Sequence, residues 1–156
     1  MKTNIISKLL LSLSLVFVLG SAITQVRGDS METSSSPVVS IHSTGDVTRG
    51  KTGSFVVAMA SVGGTFSPAT YVNVSVSGTA AAGVDYVASS IVSPILIGKS
   101  GYGVISIKTL PNPRGVSANQ KVSVVVTLRP GPGYTVGASS SATMWIEPCS
   151  SAAGCQ

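Results

Sequence analysis

The residues able to do chemistry are few, and their spacing limits what they could do together. His42 is the single histidine, with Ser40 and Ser43 beside it and Asp46 four residues on. A nucleophile–base–acid relay needs one base held between a hydroxyl and an orienting carboxylate. Serine is so abundant in this chain that the proximity carries no information, and His42 reads as an ordinary exposed strand residue; no catalytic residue is assigned. One histidine and two cysteines crowded near the chain end, Cys149 and Cys155, do not make a tetrahedral zinc set. Gly98-Lys99-Ser100-Gly101-Tyr102-Gly103 has the glycines of a phosphate cradle, but that cradle needs a helix start behind it. Val104 to Leu110 alternates like a strand, so the glycine run is expected to be a hairpin connection.

Three further motifs are short. Asn73-Val74-Ser75 is a glycosylation sequon on the polar parity of its segment, relevant only in a eukaryotic secretory pathway. Arg27-Gly28-Asp29-Ser30 spells an integrin-recognition tetrapeptide, and coincidence is the default for four residues. Cys149 and Cys155 enclose five small residues; in an oxidising compartment they are expected to form a local disulfide, or alternatively to pair with another chain. The spacing does not suit a CxxC redox pair, and so short a loop would stabilise a core little.

The elements that must position these residues begin after a targeting segment. Lys2 and Lys8 precede an apolar run from Leu9 to Leu19, which has the length of a signal-peptide core and is short for a bilayer span. Small residues allow cleavage after Ala22 or after Gly28. A start at Asp29 would remove the integrin-like tetrapeptide, whereas cleavage after Ala22 would leave it on the N-terminal arm. The expected organisation is a signal peptide over 1–28, a flexible leader over 29–36, a sandwich over 37–148 and a cysteine-containing tail over 149–156. The expected location is secreted or extracellular, or periplasmic in a bacterium, with no membrane span once the signal is removed.

Processing also changes the charge balance. Ten Lys and Arg face five acids in the full chain, a net of +5. Loss of Lys2, Lys8 and Arg27 leaves seven against five. The remaining cations (Arg49, Lys51, Lys99, Lys108, Arg114, Lys121 and Arg129) are scattered and read as solubilising charges on edges and turns. Nucleic-acid binding asks for a basic stripe interleaved with aromatic platforms, and no such stripe exists.

Within 37–148, apolar and polar residues alternate with the period of half-buried strands. Phe55, Val57 and Met59 share one parity, as do Val72, Val74 and Val76, then Ile105 and Ile107. Val122, Val124, Val126 and Leu128 form another set, and Ala142, Met144 and Ile146 the last. Val38 to Ile41 and Ile95 to Ile97 bring the total to about seven strands, the second beginning at Pro94 or lying on an edge because proline donates no ladder bond. Glycine and proline clusters separate them, and no segment keeps helical period over ten residues. The pattern predicts an all-β sandwich, its outward faces polar and its first and last strands in different sheets.

The order of these pieces resembles the Calx-beta family. Asp46-Val47-Thr48-Arg49-Gly50 with Gly53-Ser54-Phe55-Val56-Val57 is similar to that family's entry into its second strand. Gly78-Thr79-Ala80 through Gly83-Val84-Asp85-Tyr86 is similar to its best-known motif. Lys121 to Leu128 and Ser141 to Ile146 resemble its last two strands. The resemblance implies an immunoglobulin-like antiparallel β-sandwich of a secreted or surface protein, acting in adhesion or cell communication through a protein or glycan surface partner. Binding is expected through loops at one end, Pro111–Asn119 or Gly131–Gly137, or through an exposed edge strand.

Calcium-binding members cluster acids at one end, and this chain departs from them. Arg49 stands where a glutamate is usual, the 111–120 loop has no acid, and Glu147-Pro148-Cys149 replaces an acidic tail. Calcium takes six to eight oxygen ligands. Only Asp46, Asp85 and Glu147 are available between residues 37 and 148. The resemblance therefore leaves at most a weak calcium site around Asp85 and Glu147, of about millimolar affinity, and otherwise no cofactor. On its own residues, Asp85 reads instead as a turn cap that accepts backbone N–H bonds, with Tyr86 at the sheet rim.

Overall fold

The computed structural model describes residues 36–60, 69–111 and 120–149. The signal segment, the leader up to residue 35 and most of the 111–120 loop lie outside these residues, as does the tail beyond Cys149. Alternation becomes strand wherever a β-branched or aromatic run can bury one parity. Strand β1 is Val38–Ser43, β2 Val47–Thr48, β3 Thr52–Met59, β4 Thr70–Val72 and β5 Val74–Ser77. A single turn of 3₁₀ helix at Ala88–Ser90 precedes β6 (Ile95–Ile97) and β7 (Tyr102–Lys108). Strands β8 (Val122–Leu128), β9 (Thr135–Val136) and β10 (Ser141–Glu147) complete the order.

One sheet has the order β7-β3-β1-β9 and the other β2-β10-β8-β5, with β4 and β6 paired as a separate ribbon. Their inward parities share one core containing Val39, Ile41, Phe55, Val57, Ile107, Val124, Val126, Met144 and Ile146. Burying alternate residues between two layers is what drives so valine-rich a chain to fold. The first and last long strands, β1 and β10, lie in different sheets as expected. Among the described residues no helix is long and apolar enough to cross a membrane.

Four features differ from the sequence reading. The long pairings are antiparallel, but two-residue β9 and β2 join β1 and β10 in parallel, so both sheets are mixed. Residues 72–76 are not one strand: β4 pairs with β6, β5 pairs with β8, and the chain changes sheet at Asn73. Asn73 N–H is taken by the Tyr134 hydroxyl (3.1 Å) instead of a strand neighbour, and Val76 emerges on the exposed side. The 98–103 glycine run makes a turn, with Gly101 N–H donating to Gly98 O, but it links strands of different sheets and is no hairpin. The outward faces are not polar throughout either: Tyr71, Val92, Leu96, Tyr102 and Val104 are all at least half exposed.

Tyr134 closes a corner. Its hydroxyl donates to Arg129 O (2.5 Å) five residues back while accepting from Asn73 N–H. Tyrosines that hydrogen-bond back to a nearby upstream backbone in this way are a hallmark of immunoglobulin-like sandwiches. A side chain at Gly131 would fall 2.9 Å from the Tyr134 ring, so the glycine is required by that close approach.

Candidate functional site: a buried ion pair at one end of the sandwich

Arg49 is fully buried, which corrects its reading as a solubilising surface charge. The physical reason lies in its position just after β2. Arg49 N–H donates to Glu147 O (3.1 Å), extending the β2–β10 pairing, and Gly50 then turns the chain at φ +79° toward β3. The side chain is thereby directed under the 78–86 segment.

That segment is built to deliver a carboxylate. Gly78 adopts φ +119° and lies against the Ser123 backbone so closely that no Cβ could fit. Thr79 and Ser123 then bond reciprocally: Thr79 N–H reaches Ser123 Oγ (3.3 Å), and Ser123 N–H reaches Thr79 Oγ1 (2.9 Å). Ala80 N–H adds a bond to Ser123 O (2.9 Å). With the segment latched to β8, residues 81–85 turn tightly, Val84 and Asp85 N–H both donating to Ala81 O.

Asp85 emerges with its carboxylate inside. Oδ1 accepts from Arg49 Nη1 at 2.9 Å, and Oδ2 accepts from Ala81 N–H at 2.8 Å. The expected backbone cap is therefore present, and an ion pair is added to it. Arg49 Nη2 donates to Gln120 O (3.1 Å). Asp85 O accepts from Leu110 N–H, and Tyr86 bridges to Thr109 at the end of β7. Thr109 Oγ1 returns to Lys51 O at 2.6 Å. One ion pair thus ties together the ends of both sheets. Arg49 Nε is the exception, a buried donor without a hydrogen-bond partner.

Tyr86 is buried beside this pair, and burial pushes its phenol up, with the nearby Asp85 charge adding to the effect. Such a site can hold geometry. Each Asp85 carboxylate oxygen already accepts one bond, from the guanidinium or from a backbone N–H, so the pair serves to position the 78–86 segment against β2.

The other acids are engaged close by. Glu147 pairs with Lys121, and that hydrogen bond holds the Lys121 ammonium above the ordinary lysine range, helped by the charges of Glu147 and Asp46. Lys121 also approaches Asp46 Oδ2 (3.8 Å) and sits 5.0 Å from the Trp145 ring centre. Asp46 Oδ1 accepts from Trp145 N–H (3.0 Å). Asp46, the acid nearest His42 in sequence, is thus turned to β10, while His42 sits exposed on β1 opposite Val56. Asp85 and Glu147, the residues of the expected weak calcium site, face different cations at this end. Among the described residues no three metal-ligating side chains gather at one point. Cys149 Sγ lies 3.8 Å from Arg49 O, and its expected partner Cys155 is outside the described residues.

Sequence reasoning placed Arg49 and Asp85 in one neighbourhood but missed their pairing. The available signal was arithmetic: with three acids in the sandwich region, a cation brought near Asp85 has no other carboxylate to meet unless Asp46 or Glu147 is close.

The chain matches no family model, no curated protein and no solved structure in the corresponding comparisons.

Proposed function

We propose that this chain is a secreted, non-catalytic interaction module on a Calx-beta-like sandwich, binding a protein or glycan partner at a cell surface. The observation that supports this most is the exposed apolar set Tyr71, Val92, Leu96, Tyr102 and Val104 on an otherwise well-buried small sandwich. Contiguous exposed apolar surface on a small domain marks binding. The engagement of Asp46, Asp85 and Glu147 by backbone and cations supports a module that folds on protein contacts rather than the alternative, a calcium-dependent structural unit. A local Cys149–Cys155 bridge belongs to the same proposal.

The test has two arms. The full chain is expressed with its leader, and exported material is sequenced from its N-terminus, with a start at Ile23 or Asp29 expected. The exported chain is then titrated onto immobilised surface proteins and glycans, and melted with calcium and with chelator. Saturable binding and an unchanged melting midpoint are expected. An unprocessed, cell-retained chain would overturn the secreted reading, and a midpoint raised by calcium would favour the calcium-dependent one.

A further inference from the structure

Strand β7 ends its sheet, with β3 on one side only. Lys108 shows which way its parity faces: its N–H donates to Ser90 Oγ (3.3 Å) and its carbonyl accepts from Val87 N–H (2.9 Å). The next residue, Thr109, donates back across the sheet to Lys51 O (3.0 Å). In an antiparallel ladder, residues of one parity direct both main-chain groups to the same side. Val104 and Ser106 share the parity of Lys108, so their N–H and C=O groups point away from β3. They point into a groove of about 450 Å³, walled by Val92, Pro94 and Leu96 on one side and by Val104, Ile105 and Ser106 on the other.

We propose that this groove accepts an extended peptide of another protein as an added strand on β7, with an apolar centre and acidic flanks. The proposal rests on the interaction-module reading and names its site and partner class. Main-chain groups directed into a cleft are the chemistry of strand addition. The groove walls carry no charge, which selects an uncharged centre. Charge complementarity sets the flanks: Lys99, in the turn before β7, and Lys108, at its end, are both exposed. No ion pair among the described residues holds either lysine. Residues 87–90 cover the Lys108 end of the edge, so the open stretch is 102–106, about 17 Å of strand, and the two lysines lie just beyond its ends. A second folded copy is the wrong occupant. It would bring its own 90–96 segment against the same wall.

The test is fluorescence anisotropy of labelled peptides with the purified full chain. The probe has alternating valine and threonine with two aspartates at each end. Controls carry lysines at the ends, or N-methyl groups on alternate core amides. Saturable binding of the acidic probe is expected. The lysine-ended and N-methylated peptides should bind at least about tenfold more weakly, the former difference shrinking as salt rises. Val104→Pro removes an N–H that faces the groove and takes no bond from the β3 ladder, so it should weaken binding about tenfold without lowering the melting midpoint. If that variant does not fold, Leu96→Glu on the exposed wall replaces it, with the same loss expected. Equal binding of the N-methylated or lysine-ended peptide would overturn the proposal, as would no binding of any peptide at millimolar concentration. If the peptides fail while the chain still binds immobilised surface partners, the groove assignment falls and the module reading stands.

Discussion

The buried pair permits the sharpest prediction. Arg49→Met keeps the length of the side chain but removes its charge and its bonds to Asp85 and Gln120. The Asp85 carboxylate then stays buried with Ala81 N–H as its remaining side-chain bond. Asp85→Asn fails differently. Whichever way the new amide turns, its NH₂ meets a donor, either Arg49 Nη1 or Ala81 N–H. Breaking one side of a buried pair costs about 3–5 kcal/mol. Unfolding entropy near 2.1 cal/mol/K per residue gives a domain of about 115 residues roughly 0.24 kcal/mol/K, so each single variant should melt about 12–20 °C lower. The double variant Arg49→Met with Asp85→Leu removes both charges and the unpartnered Nε, and should be more stable than either single variant. Urea unfolding of the unaltered chain, Arg49→Met, Asp85→Leu and their double variant, followed by intrinsic fluorescence, measures the cycle, with Asp85→Asn as a fifth protein. Single losses below about 1 kcal/mol, or losses that add in the double variant, would refute the claim that this pair holds the end of the sandwich together.

Two other outcomes follow from the same end. Gly78→Ala forces a Cβ into the Ser123 carbonyl at φ +119°, so the latch must open, and a loss of about 2–4 kcal/mol by urea unfolding is expected; Gly83→Ala, at φ +78° with nothing near its Cβ, should lose only about 1 kcal/mol. Because the Tyr86 phenol is raised by burial, the folded chain holds that proton more tightly than the unfolded chain above pH 10.0. The Tyr86 contribution to stability should therefore be constant below that pH and fall as pH rises beyond it, and Tyr86→Phe should lessen the decline in an alkaline unfolding series.

Much of the fold was legible because burial writes itself locally. In β3, β7, β8 and β10 each inward residue is two positions from the next, and a single segment shows it. The Asp85 cap was legible for the same reason, since its donor Ala81 is four residues away. What was not legible depends on distant partners. The change of sheet at Asn73 is made by Tyr134, sixty-one residues on, and nothing between Val72 and Val76 announces it. The two-residue strands β2 and β9 are too short to carry a period. Arg49 was misread because an isolated charge between polar residues looks solvated, and its partner is thirty-six positions away. The β7 edge was misjudged too: the alternation located Ile105 and Ile107 correctly, yet Tyr102 and Val104 on the opposite parity went unremarked.

Charge placement connects the locked end of the molecule with the open edge. The three acids of the sandwich region are all engaged in one continuous group: Asp46 and Glu147 with Lys121, and Asp85 with Arg49, whose backbone is bonded to Glu147. Two cations are consumed there. Arg129 is tied to Ser75, while Lys51, Lys99 and Lys108 are exposed and in no ion pair among the described residues, the last two at the two ends of β7. Had the acids been spread over the surface, these lysines would be neutralised within the chain. Gathering Asp46, Asp85 and Glu147 at one end fixes the geometry there and leaves Lys99 and Lys108 without a carboxylate partner among the described residues, beside the groove that the main-chain groups of β7 face. An acidic-flanked strand would find both. The salt dependence of peptide binding therefore reads the same charge distribution that the Arg49–Asp85 cycle measures from inside: raising ionic strength should weaken the peptide while leaving the buried coupling almost unchanged, because screening acts on exposed charges and scarcely on buried ones.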